Sequence, residues 1–258
     1  MLEKIMAVRR KQLEKDKRSA SMTVLLELID RSAPAVSLSR AMSESGIGLI
    51  AEIKGSSPSQ GLIREKIDPK EIALIYQNNG AAAISVLTEK HFFSGDINYL
   101  QFVREVTDLP ILRKDFIFDE FQLFEARAYG ADAVLLMNEV VTDENELERL
   151  IDAAHRLGLE VLLESSNKDD LELSLKTNAD VIGINNRDFD TLKVDIDNGI
   201  ELMSKVSVDR PAISESGIFT RDDVQKMERA GFNGILVGTS LMKSKDIGKK
   251  IEELMRRD

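Results

Sequence analysis

The sequence has 258 residues, enough for one large domain or two small ones. Its 45 acidic against 35 basic residues give a formal net charge of -10, which argues against a nucleic-acid binder, since such proteins usually carry a basic excess. There is no cysteine, which excludes a disulfide frame, a thiolate zinc site and a cysteine nucleophile.

From Met1 to Lys17, charged and apolar residues alternate at helical spacing, with no apolar core of signal-peptide length. No later run approaches the roughly 18 apolar residues of a membrane span, so a cytoplasmic protein without a membrane partner is expected. Residues 1–47 read as a helical segment before the first strand. A charged helix is followed by a second over Thr23 to Arg31, carrying Leu25, Leu26, Leu28 and Ile29 and ended by Pro34. A short turn is predicted over Ser37 to Ser45.

From residue 48 a rhythm begins. Short apolar runs recur at Leu49–Ile53, Ala82–Leu87, Ile111–Leu112, Ala133–Met137, Glu160–Leu163, Val181–Ile184, Ala212–Ser214 and Ile235–Val237. Between them lie amphipathic stretches of helical length, among them Pro69–Asn79, Asp119–Tyr129, Glu144–Leu157, Thr220–Ala230 and Ser240–Met255. Gly80, Gly130, Gly158 and Gly231 stand just past the ends of such stretches, as left-handed C-caps. Eight strands alternating with eight helices in about 210 residues is the arithmetic of a (β/α)8 TIM barrel. A doubly wound open sheet fits less well, because the first strand ends without a G-x-G-x-x-G turn. A leucine-rich solenoid has no repeat period to support it. The whole chain, 1–258, is read as one barrel domain with residues 1–47 as an N-terminal helical extension.

Active sites of such barrels lie at the C-terminal strand ends. Those ends carry Glu52 and Lys54, then Thr88 with Phe92 and Phe93, then Lys114 with Phe116, Glu164, Asn185 and Arg187, Glu215 and Ser216, and Gly238 to Ser240. At Arg113-Lys114 the side chains point to opposite faces, so one charge must face inward. Any single charge could be a solvated loop residue. Three glutamates and two lysines at one end of an apolar barrel are tolerated only if paired, and pairing tunes pKa values for acid–base work. Gly217, Gly238 and Thr239 stand after the seventh and eighth strands, where backbone N–H groups hold phosphate in many barrels. Ser57 adds a hydroxyl from the first. The alternative is that these glycines merely make tight turns. His91 and His155, the two histidines, sit in unrelated segments, so no metal site is expected; His91 is placed in an exposed loop and His155 on a solvent-facing helix surface.

Together these stretches resemble the indole-3-glycerol phosphate synthase family. The matching residues are Ile50-Ala51-Glu52-Ile53-Lys54 with Ser57-Pro58-Ser59, Leu87-Thr88-Glu89 with Phe93, Leu112-Arg113-Lys114-Asp115-Phe116-Ile117, and Leu163-Glu164. They continue with Ile182-Gly183-Ile184-Asn185-Asn186-Arg187, Ser214-Glu215-Ser216-Gly217-Ile218 and Val237-Gly238. The resemblance implies closure of 1-(2-carboxyphenylamino)-1-deoxyribulose 5-phosphate to indole-3-glycerol phosphate, with loss of carbon dioxide and water and no cofactor. It implies Lys114 as the acid on the ribulose carbonyl, Glu164 as the group assisting dehydration, and Glu52 with Lys54 as a second pair. It further implies Asn185 and Arg187 on the carboxylate and hydroxyls, with Glu215 and Ser216 as the corresponding contacts from the seventh strand. Phe93, Phe116 and Leu192 would wall the aromatic ring, and Ser57, Gly217, Gly238 and Thr239 would hold phosphate. The expected partner is this small phosphorylated aromatic substrate, and the expected state a monomer or a weak homodimer. The sequence departs from the family at Gly55, where a basic or larger residue is expected, and at Ser56, where many relatives carry a basic or small one; it departs again at Ser165-Ser166 in place of Val-His and at Phe189 in place of leucine. Another phosphate-binding barrel, such as phosphoribosylanthranilate isomerase, is a weaker reading, because that enzyme's acid–base pair leans on a cysteine. A barrel that binds a phosphorylated ligand without catalysis would be expected to have lost Lys114 or Glu164.

Overall fold

The computed structural model describes residues 1–44, 46–188 and 191–256. Ser45, the end of the short turn predicted over Ser37 to Ser45, and the departure at Phe189 lie outside the described residues. Three helices come first: α1 (Leu2–Ser19), α2 (Met22–Arg31) and α3 (Leu38–Met42). Eight parallel strands then close on themselves: β1 (Gly48–Ile53), β2 (Ala83–Leu87), β3 (Ile111–Lys114), β4 (Ala133–Met137), β5 (Glu160–Ser165), β6 (Val181–Asn185), β7 (Ala212–Glu215) and β8 (Gly234–Val237). Each pairs with its neighbours in sequence, and β1 pairs with both β2 and β8. This is the (β/α)8 barrel predicted from the sequence.

The helices between the strands are α4 (Pro69–Asn78), α5 (Lys90–Phe93), α6 (Asn98–Arg104), α7 (Glu120–Ala128), α8 (Glu144–Arg156), α9 (Lys168–Ser174), α10 (Ile196–Ser204), α11 (Arg221–Arg229), α12 (Thr239–Lys243) and α13 (Ile247–Met255). Several start where a side chain can accept the first free N–H groups. Asp68, Asp119, Asp143 and Thr220 do so for α4, α7, α8 and α11. Gly80, Gly130, Gly158 and Gly231 follow α4, α7, α8 and α11 at φ between 74° and 91°, a region where a Cβ is strained.

Two expectations are corrected. The helix predicted over Ser240–Met255 is two, α12 and α13. Asp246 breaks it by accepting from the Lys249 N–H at 3.0 Å and starting a new helix. His91 is exposed as expected but lies in α5, a single turn capped by Glu89, rather than in a loop. A two-stranded hairpin, Ser56–Ser57 with Gly61–Leu62, follows β1 and was not foreseen.

The core has two layers. Side chains on the outer strand faces meet the helices, as with Leu49, Val86, Val134, Val161 and Ile235. Inward faces fill the lower barrel with Ile50, Ala83, Leu112, Leu135, Leu162, Val181, Ile213 and Leu236. The period of two alternates these layers along every strand, so both faces are apolar and the runs read as continuous. Met42 of α3 packs against Gly48 and Gly234 at the strand starts. Ile5 of α1 reaches the opposite end, where polar residues replace the apolar filling. Among the described residues no helix is long and apolar enough to cross a membrane.

Candidate active site

At the C-terminal ends of the strands the barrel opens into a cavity of about 1040 Å³, counting its solvent-open space. That is about the upper end of the range for small-molecule sites. The fifteen residues to which the sequence gives a catalytic or substrate-binding role all line it. They are Glu52, Lys54, Ser57, Phe93, Lys114, Phe116, Glu164, Asn185, Arg187, Leu192, Glu215, Ser216, Gly217, Gly238 and Thr239. Thr88 does not. Leu87 takes the inward position in register with Lys114, so Thr88 turns outward and donates to Asp115 Oδ2 at 2.6 Å.

Lys114 is the hub. Its ammonium donates to Glu164 Oε2 at 2.9 Å and to Glu215 Oε2. Glu164 Oε1 accepts from Asn185 Nδ2 at 3.0 Å, so both oxygens of that carboxylate are held. Lys54 Nζ donates to Glu52 Oε1 at 2.6 Å, a second ion pair on β1 and the loop after it. Register explains the grouping: Asn185 pairs with Glu215 across β6 and β7, and Met137 with Glu164 across β4 and β5. Glu52, Glu164, Asn185 and Glu215 are all buried.

Burial acts to lower the Lys114 pKa, but Glu164, Glu215 and Glu52 outweigh it, and the ammonium is held well above the ordinary lysine range. Burial raises Glu215 to about 8; Lys114 opposes the shift, and Glu164 and Glu52 add to it. Its Oε1 is buried without a hydrogen-bond partner among the described residues. The cluster therefore combines a firmly charged lysine with a carboxyl group poised between its two states near neutral pH. The Arg187 guanidinium has its pKa lowered by burial, against the pull of Glu52. It donates to the Leu192 carbonyl at 3.2 Å, in the loop after β6.

The walls and floor are apolar. Phe93 and Phe116 lie with ring centroids 6.0 Å apart, tilted at 44°. Leu192 sits at φ 59°, an uncommon conformation for a branched side chain. Opposite, Ser216 and Gly217 both have positive φ, 68° and 84°. Gly238 has no room for a Cβ, which would overlap the Glu52 carboxylate.

The sequence reading missed Met1, Ile5 from α1, Leu135 and Met137 from β4, and Phe219, all of which line the cavity. Strand alternation gives Leu135 and Met137. Nothing in the local pattern of residues 1–5 shows that they return to this end of the barrel. Also missed was a polar belt behind the cavity. Tyr76 donates to the Glu52 carbonyl at 2.9 Å, Gln122 to the Phe116 carbonyl at 2.8 Å and Asn186 to the Ser216 carbonyl at 2.9 Å. His91 and His155 do not line the cavity; His155 instead meets Asp180 at 2.8 Å.

Solved structures similar to this chain show the fold alone. Thiamine phosphate pyrophosphorylase from Pyrococcus furiosus aligns with a TM-score of 0.61 at 19% identity, over 84% of this chain and 96% of that one. A 3-hexulose-6-phosphate synthase from Salmonella typhimurium gives 0.63 at 17%, over 81% and 96%. Sequence comparison goes further. The family model described as indole-3-glycerol phosphate synthase matches residues 2–254. The chain belongs to the indole-3-glycerol phosphate synthase family. Relatives carrying that name include one from Endomicrobium trichonymphae, 41% identical over 256 residues, covering 98% of this chain and 99% of the relative. Another, from Dehalococcoides mccartyi, is 42% identical over 260 residues, covering 99% and 100%. The family's activity is that of a carboxy-lyase of tryptophan biosynthesis.

Two departures from the family pattern have local causes. At Gly55 a Cβ would lie 2.9 Å from Ser94 Cβ and 3.0 Å from Ile67 Cδ1, so a larger residue does not fit this packing. Ser165 is buried and points away from the cavity, where Asn138 donates to it at 3.2 Å.

Proposed function

We propose that the cavity closes the indole ring of 1-(2-carboxyphenylamino)-1-deoxyribulose 5-phosphate, with these side chains in the roles that follow. The observation that carries the reading is Lys114, a half-buried ammonium held charged beside Glu164, Glu215 and Glu52 in the cavity. Such a group is a positioned acid. As the ring carbon bearing the carboxylate attacks the ribulose carbonyl carbon, Lys114 donates its proton to the carbonyl oxygen. Carbon dioxide then leaves and restores the aromatic ring. The new hydroxyl departs as water, and loss of a proton from the neighbouring carbon completes the indole. Glu164, hydrogen-bonded to Lys114, assists that proton transfer. Glu52 and Lys54 form the second acid–base pair, and Glu215 shares the Lys114 proton network.

Asn185 and Arg187 position the substrate carboxylate and hydroxyls, for which the guanidinium fork is suited. Phe93, Phe116 and Leu192 flank the aromatic ring. Ser57, Gly217, Gly238 and Thr239 take the phosphate through backbone N–H groups and hydroxyls, and Ser216 contacts the substrate from the end of β7. The chain acts in the cytoplasm as one barrel domain, with residues 1–47 as its N-terminal extension, and as a monomer or weak homodimer. It needs neither cofactor nor nucleic acid, and the net charge of -10 supports the last point.

The test is turnover of the purified chain on this substrate, followed by fluorescence of the indole product against a background free of tryptophan. Turnover in the ordinary enzyme range, about 0.1 to 100 per second, is expected. Lys114→Ala should lower kcat by about a hundredfold or more, the range for a lost general acid. Near-normal turnover in that variant would remove Lys114 from the mechanism.

A further inference from the structure

Asn138 follows β4 and does not line the cavity, yet it touches the backbone of the residue that matters most to Lys114. Its side chain is buried, 3% exposed, between the barrel and α9. Asn138 Nδ2 lies 3.2 Å from the Glu164 carbonyl, 3.3 Å from the Asp170 carbonyl, 3.2 Å from Ser165 Oγ and 2.7 Å from Ser174 Oγ. The Asn138 N–H also donates to the Glu164 carbonyl, at 3.2 Å. Carbonyls only accept, which fixes the amide with its nitrogen on this side. The two serine hydroxyls bond each other at 2.9 Å.

One observation argues against simple packing. Among the described residues Asn138 Oδ1 is buried with no partner. An orphaned amide oxygen costs stability, and an apolar side chain of similar size would avoid that cost. An apolar side chain could not grip the Glu164 carbonyl. On the cavity side, the Glu164 carboxylate must reach Lys114 at 2.9 Å and Asn185 at 3.0 Å at once, from a strand end where the ladder is about to stop. Small rotations of that residue break one bond or the other.

We propose that Asn138 is a positioning residue for Glu164, clamping its main-chain carbonyl from behind the barrel so that its carboxylate spans Lys114 and Asn185. Ser165 and Ser174 complete the buried cluster but do not carry the effect. The proposal rests on the role given above to Glu164.

The experiment measures kcat, KM and the pH profile of kcat for the full chain and four variants, with melting followed by circular dichroism. Asn138→Ala should lower kcat by about tenfold to a hundredfold, the scale of a misplaced catalytic group. KM should change by less than about threefold, and the pH profile should move. Where N138A gives too little folded protein, Asn138→Ser, which keeps one donor for two carbonyls, is expected to show the same split in smaller measure. Ser165→Ala combined with Ser174→Ala removes the hydroxyls and spares the clamp, so kcat should stay within about twofold even if the melting temperature falls. A kcat and pH profile unchanged in folded N138A, or in N138S where that stands in for it, would overturn the proposal. So would an equal kcat loss in the double serine variant, because the effect would then belong to the docking of α9. Glu164→Gln separates the two readings. Lost turnover in E164Q with normal turnover in N138A sinks the clamp alone. Normal turnover in E164Q sinks the role of Glu164, and the clamp with it.

Discussion

Lys114 and Glu215 show how three carboxyl groups and two lysines share one cavity. Desolvation favours neutral forms, and a lysine among carboxylates favours charge. The lysine wins its charge, and Glu215 gives ground, rising to about 8. Between its usual 4.5 and that value the folded chain holds a proton that the unfolded chain has released. The stability due to this carboxyl therefore falls as pH rises across that window. Lys114 is charged in both states there, because its raised pKa acts only above its usual 10.5. Asp115, held below its usual 3.8 by Arg9 and Arg113 against the cost of burial, acts only below that value. Glu215→Gln should therefore gain stability relative to the parent as pH rises from about 5 to about 8.5, read as urea midpoints at several pH values. A stability difference independent of pH would remove Glu215 as the carrier of that dependence.

At the scale of elements, the barrel sets the site by alternation and then fixes it from behind. Inward positions at the strand ends carry Lys114, Glu164, Asn185 and Glu215; the positions beside them carry Arg113, Ser165, Asn186 and Ser214, all buried. The second set holds helices and main-chain carbonyls to the strands, as Arg113 does by donating to the Gln122 carbonyl and Asn186 by donating to that of Ser216. Helix ends matter in the same way. Asp246 separates α12, which starts at the cavity, from α13, which packs outside. Asp246→Ala should cost about 1 kcal/mol in urea unfolding, as for other lost N-caps, and leave kcat unchanged. A loss of turnover would mean that α12 itself had moved. Where sequence reading named amphipathic stretches with aspartate or threonine starts and glycine stops, the helices stand there to within one or two residues. The exception is the α12–α13 break, where Asp246 interrupts an otherwise helical pattern.

The whole molecule adds what no single strand holds. Arg9 of α1 is buried against Asp115, with Nε–Oδ1 at 3.0 Å, and Asp115 also accepts from Arg113 and Thr88. This ties the N-terminal helix to the residue after Lys114. Arg9→Met should destabilise the fold by about 3 kcal/mol, because it leaves a buried carboxylate short of one cation, and denaturant titration reads this directly. A change below about 1 kcal/mol would show that Arg113 alone balances Asp115.

The sequence by itself determined the strand and helix rhythm, the barrel that eight such units make, and the fifteen residues at the cavity. The rhythm and the barrel follow from local periodicity and from the rule that strand ends of one sense share one face, while Leu192 came only from the family resemblance. Tertiary structure alone decided three things. It brought Met1 and Ile5 to the far end of the barrel, turned Thr88 outward to join the Arg9–Asp115–Arg113 network, and placed Asn138 behind Glu164. These contacts join segments as far as 106 positions apart. Such pairings depend on how helices dock on the closed barrel, and no period along the chain records them.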